Sequence, residues 1–397
     1  MSEIERNYYC SQKFRYLKID LESRSTYTCH AATPHSIDFE WLQSNSGNLF
    51  NHKINVQERT MMLQNHRAPS CEQNCWKAED QGSISPRMYQ HGIERTHTEV
   101  VTQPETLDIT VGSDCNLTCS YCTKEYSSAW RRDINNNGPY NISNYTDGRY
   151  RLTDFDKILL KISQPELAES SRYQQLLSEI QQISSKVKRI DITGGEPLLN
   201  NRFISMLSTL DLSSCHTVTV YTGLGVDTSR LLKMLDKLKS VPNLVFAISA
   251  ETTEKFLEFN RYGVSWAQFQ TNLNLIREAG IALRFHSVIT NLTIVGFRQF
   301  YDKFFNDDIT LTYAFQPTMM ASYVLDEHTK QQLSTELSEL PSEFSESLLK
   351  SIQATPTEQE RLNIKEFLCE FVSRRPDLTL NIFPKTFLNW MEIDHVV

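Results

Sequence analysis

Three cysteines, Cys115, Cys119 and Cys122, stand together in SDCNLTCSYC with the spacing C-x3-C-x2-C. Thiolates are soft ligands that suit iron–sulfur clusters and zinc. A closed structural zinc site takes four ligands, commonly as two C-x2-4-C pairs, and a cubane 4Fe–4S cluster also takes four cysteines. Three cysteines on one short loop fill three irons and leave the fourth open, and an open metal position is what a catalytic site needs. The bland alternative is a chance crowding of buried thiols, which this tight spacing directly after a strand-like run disfavours. Four more cysteines, Cys10, Cys29, Cys71 and Cys75, lie in the first fifth of the chain. They are enough to ligate a second 4Fe–4S cluster completely. Zinc, or cysteines with no common site, are the competing readings there, and His30 or His35 can substitute for Cys10. Cys215 and Cys369 stand alone and read as packing thiols.

The elements that must position these residues begin near residue 105. Apolar runs at TLDITV, KRIDIT, TVTVYT, NLVFAIS, IALRFHSVI and ITLTYAF alternate with helix-like stretches such as SRYQQLLSEIQQI and TSRLLKMLDKL. Strands alternating with helices predict a parallel sheet, since parallel neighbours need a crossover. The runs read as apolar on both faces, as a sheet covered on both sides requires. The fold class is therefore α/β, an open or partial barrel of six βα units, with chemistry at the C-terminal ends of the strands. Cys115 follows the first strand by a few residues and falls at that end. After the second strand, DITGGEPLLN places Gly194, Gly195, Glu196 and Pro197, where two glycines let backbone approach a ligand and a carboxylate can accept from an ammonium group. A tight turn is the bland reading of the same glycines. Tyr221, Thr222 and Gly223 end the third strand. Ser249 and Glu251 end the fourth, and Arg261 follows, its guanidinium suited to a carboxylate. His286 and Gln316 are weaker candidates on the fifth and sixth strands.

CNLTCSYC resembles the signature of the radical S-adenosylmethionine (radical SAM) superfamily, including the aromatic Tyr121 before the third cysteine. The resemblance implies a partial (βα)6 barrel in which Cys115, Cys119 and Cys122 hold a 4Fe–4S cluster. Its open iron chelates the amino and carboxylate groups of SAM. One electron then cleaves SAM to methionine and a 5′-deoxyadenosyl radical, which abstracts hydrogen from substrate. TGGEP resembles the family's GGEP motif, which implies that Gly194, Gly195, Glu196 and Pro197 bind the SAM amino group. By the same resemblance Ser249 and Arg261 contact SAM; Glu251 and Tyr121 are further cofactor-binding candidates, and Tyr221, Thr222 and Gly223, at the end of the third strand, are candidates for the ribose pocket. Cys10, Cys29, Cys71 and Cys75 resemble the ligand set of an auxiliary-cluster module of the SPASM or twitch kind, with the departure that they precede the barrel. Barrels with auxiliary clusters resemble peptide maturases. This implies a ribosomally synthesised peptide as substrate, a separate peptide-carrier protein, and an electron donor such as flavodoxin or ferredoxin. A small metabolite is the alternative substrate, and a non-catalytic structural or electron-transfer metal protein the alternative class.

The 397 residues allow one large domain with appendages, read here as an N-terminal cluster module over 1–104, the barrel over 105–320 and a mainly helical region over 321–397. Residues 131–152 read as a long polar loop suited to a lid. A net charge of −8 argues against a general nucleic-acid binder. No apolar run approaches the ~18 residues of a membrane span, and MSEIERNYYC lacks a secretory pattern. The expectation is a cytoplasmic protein, where clustered thiols bind metal rather than pair as disulfides.

Overall fold

Each of the six apolar runs forms a strand in the computed structural model, which describes residues 7–80, 85–89, 93–145, 148–160, 170–314 and 316–393. Phe315 of ITLTYAF and residues 81–84 of the N-terminal region lie outside the described residues. In chain order the strands are β1 (Tyr16–Asp20), β2 (Ser25–Tyr27), β3 (His35–Ser36), β4 (Thr106–Thr110), β5 (Thr118–Cys119) and β6 (Arg189–Thr193). There follow β7 (Thr217–Thr222), β8 (Leu244–Ser249), β9 (Arg261–Tyr262), β10 (Ala282–Ile289) and β11 (Ile309–Tyr313). The chain forms two compact units, one of Met1–Gly112, Ser163–Val220 and Lys237–Val245, the other of Ser113–Ile162, Tyr221–Asp236 and Phe246–Val397.

In the first unit the strand order is β3-β2-β1-β4-β6-β7. β4 and β6 run parallel, Thr106 opposite Arg189 and Thr110 opposite Thr193, and β6 and β7 likewise. β1, the strand in FRYLKIDL, pairs in parallel with β4 on its other side, Tyr16 opposite Thr106. Leu107, Ile109, Ile190, Ile192, Val218 and Val220 are fully buried, which makes one face of these strands apolar core. The alternate residues differ from the sequence reading. Asp108, Thr110, Asp191 and Thr219 are buried too, so the second face is polar. Such groups are tolerated inside only when they are partnered. Asp108 accepts from the Tyr16 hydroxyl, from Thr193 Oγ1 at 2.6 Å and from Lys18 Nζ at 3.4 Å.

In the second unit β10 and β11 run parallel, Phe285 opposite Ile309. Phe285 packs against Phe300 and Phe304 of the helix Phe297–Phe304. This parallel arrangement of strands and crossover helices is that of a partial (βα)6 barrel. The C-terminal region is helical as read, over Glu327–Ser338, Ser342–Ser351, Glu358–Ser373 and Lys385–Trp390. Thr357 and Glu360 cap the third of these reciprocally. The described residues of the polar stretch 131–152 are held by packing. Its start belongs to the helix Ser128–Asn137, capped by Ser127. Its tyrosines then form an aromatic cluster, Tyr140 and Tyr150 against Trp130 and Phe367. Tyrosine carries a large apolar ring behind its hydroxyl, so a loop that counts as polar by composition is held by ring packing. Among the described residues, no helix is long and apolar enough to cross a membrane.

Candidate active site

The cysteine loop is fixed from two sides within the second unit. β5 pairs antiparallel with β9, setting Thr118 opposite Tyr262 and Cys119 opposite Arg261. The next residue extends the match, the Ser120 N–H donating to the Asn260 carbonyl at 2.8 Å and its hydroxyl to Asn260 Oδ1 at 3.0 Å. On the other side the helix Ser128–Asn137 reaches back. Ser128 Oγ accepts from the Cys115 N–H at 3.1 Å, Ser127 Oγ donates to the Leu117 carbonyl at 2.7 Å, and Trp130 Nε1 donates to the Cys119 carbonyl at 3.0 Å. Leu117 anchors the loop in the core. Gly263 lies over it with φ +105°, where a Cβ would come within 2.8 Å of the Asn116 carbonyl, so glycine is required there.

The charges around Cys119 are buried and paired. Glu251, with no exposed surface, accepts from the Tyr121 hydroxyl at 3.1 Å and from Arg261 Nε and Nη2 at 3.2 and 2.7 Å. Arg261 Nη1 lies 4.0 Å from Cys119 Sγ. Burial pushes the Cys119 thiol well up, and the Arg261 guanidinium partly offsets that. Burial likewise raises Tyr121, with Arg261 opposing and Glu251 adding. Arg261 itself is held above its ordinary range against burial, chiefly by Glu251. Cys115 and Cys119 are buried and Cys122 is half-buried.

The sequence family described as the Radical SAM superfamily matches residues 109–304. These residues belong to the radical SAM superfamily. No curated protein matches the chain. Among solved structures the chain is similar to native anSMEcpe with bound AdoMet, at 16% identity over 64% of this chain and 64% of that one, with a TM-score of 0.39. It is also similar to Streptococcus suis SuiB, at 14% identity over 82% of this chain and 68% of that one, with a TM-score of 0.38. A further match is native anSMEcpe with bound AdoMet and the Kp18Cys peptide, at 14% identity over 63% of this chain and 62% of that one, with a TM-score of 0.38. The chain spans just under two thirds of the length of anSMEcpe.

Of the other residues read as SAM contacts, the radical SAM domain places Gly194 to Pro197 directly after β6, in the first unit. Gly194 has φ +143°, and a Cβ on it would lie 2.5 Å from the Gly112 carbonyl, which itself accepts the Gly195 N–H at 2.8 Å. Glu196 is buried and accepts from the Leu198 N–H at 3.2 Å, capping the turn Pro197–Leu199. In the second unit Thr222 Oγ1 accepts from the Leu224 N–H at 3.0 Å, and Ser249 ends β8 half-buried. His286 sits edge-on to Tyr221, and the Gln316 carbonyl accepts from Arg149 Nη1 at 3.2 Å.

The N-terminal cysteines come together in the first unit. Cys10, Cys71 and Cys75 share one buried core with Tyr9, Phe14, Met62, Ala68 and Trp76. Cys29 joins them through its loop, where the Ala31 carbonyl accepts from Asn74 Nδ2 at 2.7 Å and the Thr33 N–H donates to the Ser70 carbonyl at 2.7 Å. Cys75 lies in a π-helical turn, Glu72–Trp76, a form frequent at functional sites. Burial pushes Cys10 up to about 11 and Cys29 and Cys71 up to about 12, and each thiol also feels the charge of others in the set.

Among the described residues no group of three or more His, Cys, Asp or Glu side chains is arranged to hold a metal ion. The donors themselves bear on an iron–sulfur cluster. Both sets are soft thiols outside any disulfide, and most are buried where only a bound cation makes the thiolate favourable. Three on one loop and four from three segments suit one open and one closed cluster. Sequence reasoning missed Arg375, a buried residue that donates to Thr118 Oγ1 at 2.9 Å, Tyr140 Oη at 3.0 Å and the Phe371 carbonyl at 3.0 Å. The adjacent pair Arg374-Arg375 at the end of an amphipathic helix was the available signal.

Proposed function

We propose that this chain reductively cleaves SAM at a 4Fe–4S cluster on Cys115, Cys119 and Cys122 and abstracts hydrogen from a substrate. The observation that carries the reading is the loop itself, three cysteines on one backbone segment braced against a buried Arg261–Glu251–Tyr121 group. When bound, the cluster supplies the electron that breaks SAM into methionine and a 5′-deoxyadenosyl radical. Arg261 offsets negative charge beside Cys119, and Tyr121 and Glu251 hold Arg261 there. Gly194, Gly195, Glu196 and Pro197 receive the SAM ammonium group, with Ser249 and Thr222 as further contacts.

The substrate in this reading is a ribosomally synthesised peptide, brought by a separate carrier protein, with flavodoxin or ferredoxin as electron donor. Support for it is the N-terminal module of 1–104, whose Cys10, Cys29, Cys71 and Cys75 hold a second 4Fe–4S cluster; the barrel spans 105–320, the helical region 321–397, and the protein is cytoplasmic. The test is anaerobic reconstitution, iron counting, and reduction by dithionite with SAM. Formation of 5′-deoxyadenosine supports the reading, and its absence from protein with intact clusters rejects it. A short peptide encoded beside the gene should change mass in the same assay, and an unchanged peptide beside a modified metabolite would move the substrate class.

A further inference from the structure

Beside the four N-terminal cysteines sits a cation that the proposed reaction does not use. Lys13 is buried, its side chain 2% exposed, three residues after Cys10. Its Nζ donates to Glu58 Oε2 at 2.6 Å and to Ser70 Oγ at 2.6 Å. Glu58 in turn accepts from the Ser70 N–H at 2.9 Å, the residue immediately before Cys71. The buried ammonium is paired with Glu58. The Lys13 N–H donates to the Cys10 carbonyl at 3.2 Å and its Nζ reaches Ser70, next to Cys71, so the cation is tied to both the segment that carries Cys10 and the one that carries Cys71. Of two other cations near this core, Arg87 is committed to Glu79 and to the carbonyls of Tyr9 and Asn7, and Arg67 is paired with Asp80.

We propose that Lys13 is the resident counter-cation of the second cysteine site, and that with Glu58 it sets how readily the bound cluster accepts an electron. The inference rests on the reading that these four cysteines hold an iron–sulfur cluster. One-electron reduction makes the cluster and its thiolates one unit more negative, with the electron taken from the external reductant and no bond made or broken. A fixed cation in low dielectric favours that form and a fixed anion opposes it. The two members of the pair therefore act in opposite directions. Lys13 is a tuning residue, not one that touches substrate.

The experiment uses the full chain with Cys115, Cys119 and Cys122 all changed to Ala, so that only the N-terminal site carries iron, reconstituted and titrated with dithionite under EPR. Lys13→Met should lower the midpoint by about tenfold in the reduction equilibrium, ~59 mV for one electron. Glu58→Gln should raise it, and Lys13→Arg should leave it near the parent. Glu58→Gln keeps shape and leaves no buried unpaired carboxylate, so it remains informative where Lys13→Met folds poorly. About four irons per chain with midpoints that stay put, or that move the same way in Lys13→Met and Glu58→Gln, would overturn the role of Lys13. No iron in the parent would instead reject the cluster on which the inference rests.

Discussion

The two cysteine sets are built in opposite ways. Cys115, Cys119 and Cys122 ride on one loop, and a two-residue strand pair and one helix suffice to shape it. Cys10, Cys29 and the pair Cys71 and Cys75 come from three separate segments; Cys10, Cys71 and Cys75 meet because Phe14, Trp76 and their neighbours pack into one core, and the loop of Cys29 is bonded to the segment of Cys71. The first set can keep its ligand spacing through local disturbance, because the spacing is written in the backbone. The second has no site until its unit has folded, so under the proposed function cluster binding and folding there would be one equilibrium.

The sharpest way to break this contrast is to remove ligands from each set. Changing Cys115, Cys119 and Cys122 to Ala should abolish 5′-deoxyadenosine formation and remove about four irons, the content of one cubane, while the rest of the iron stays. Cys29→Ala, one ligand only, should cost the second cluster and also lower the thermal midpoint of the chain. Equal thermal losses in the two variants would show that the triplet is as dependent on global packing as the N-terminal set.

The same contrast explains what the sequence revealed. The triplet was legible because its chemistry and its geometry are both local. So were β4, β6, β7, β8, β10 and β11, whose strand-like runs alternate with helix-like stretches along the chain. The buried polar face of β4 and β6 was not legible, because Asp108 and Thr193 are partnered by Tyr16 and Lys18, residues far away in sequence. Nor was the bond from Arg375 to Thr118, 257 residues apart. What holds the described part of 131–152 was not legible, because composition counts its tyrosines with its asparagines, whereas packing uses their rings.

The next largest effect belongs to the brace on the triplet side. Arg261→Met leaves the buried Glu251 carboxylate without its ion partner. Breaking one side of a buried pair costs about 3–5 kcal/mol, measurable by chemical denaturation. Glu251→Gln, which retains an acceptor for Tyr121 and Arg261, should cost less. A loss below ~1 kcal/mol for Arg261→Met would mean that the pair does not hold the loop.

Arg375→Ala tests whether the loop is as self-contained as its two-residue pairing suggests. The change removes donors to Thr118, Tyr140 and Phe371 and a packing plane against the Phe371 ring. A loss of about 2–3 kcal/mol is expected, the scale of charged hydrogen bonds. Amide exchange should quicken in residues 113–122 and stay unchanged in 69–76. Slow exchange in both would show that the strand pair alone fixes the cysteine loop.

The smallest effect bears on the N-terminal side and is read through pH. The helix Lys53–Leu63 carries Glu58, and His52 precedes its first turn. His52 is buried, stacked on His35 and edge-on to Trp41, and neither ring nitrogen has a hydrogen-bond partner. Burial lowers its pKa, His35 and Lys53 lower it further, and Asp38 opposes them. The folded state therefore binds this proton less readily than the unfolded chain, whose histidines titrate near ~6.5. Above that pH His52 contributes no slope; as pH falls through it, the unfolded state gains protons and stability declines, by at most ~1.4 kcal/mol per pH unit for one group. Between pH 7 and 5 the wild type should lose stability more steeply than His52→Phe, whose ring can keep the contact with Trp41. Exchange in residues 53–63 should rise over the same range, while residues 128–137 beside the cysteine triplet should not follow. Identical slopes for wild type and His52→Phe would remove His52 as the source and leave the N-terminal side no more sensitive to mild acid than the triplet.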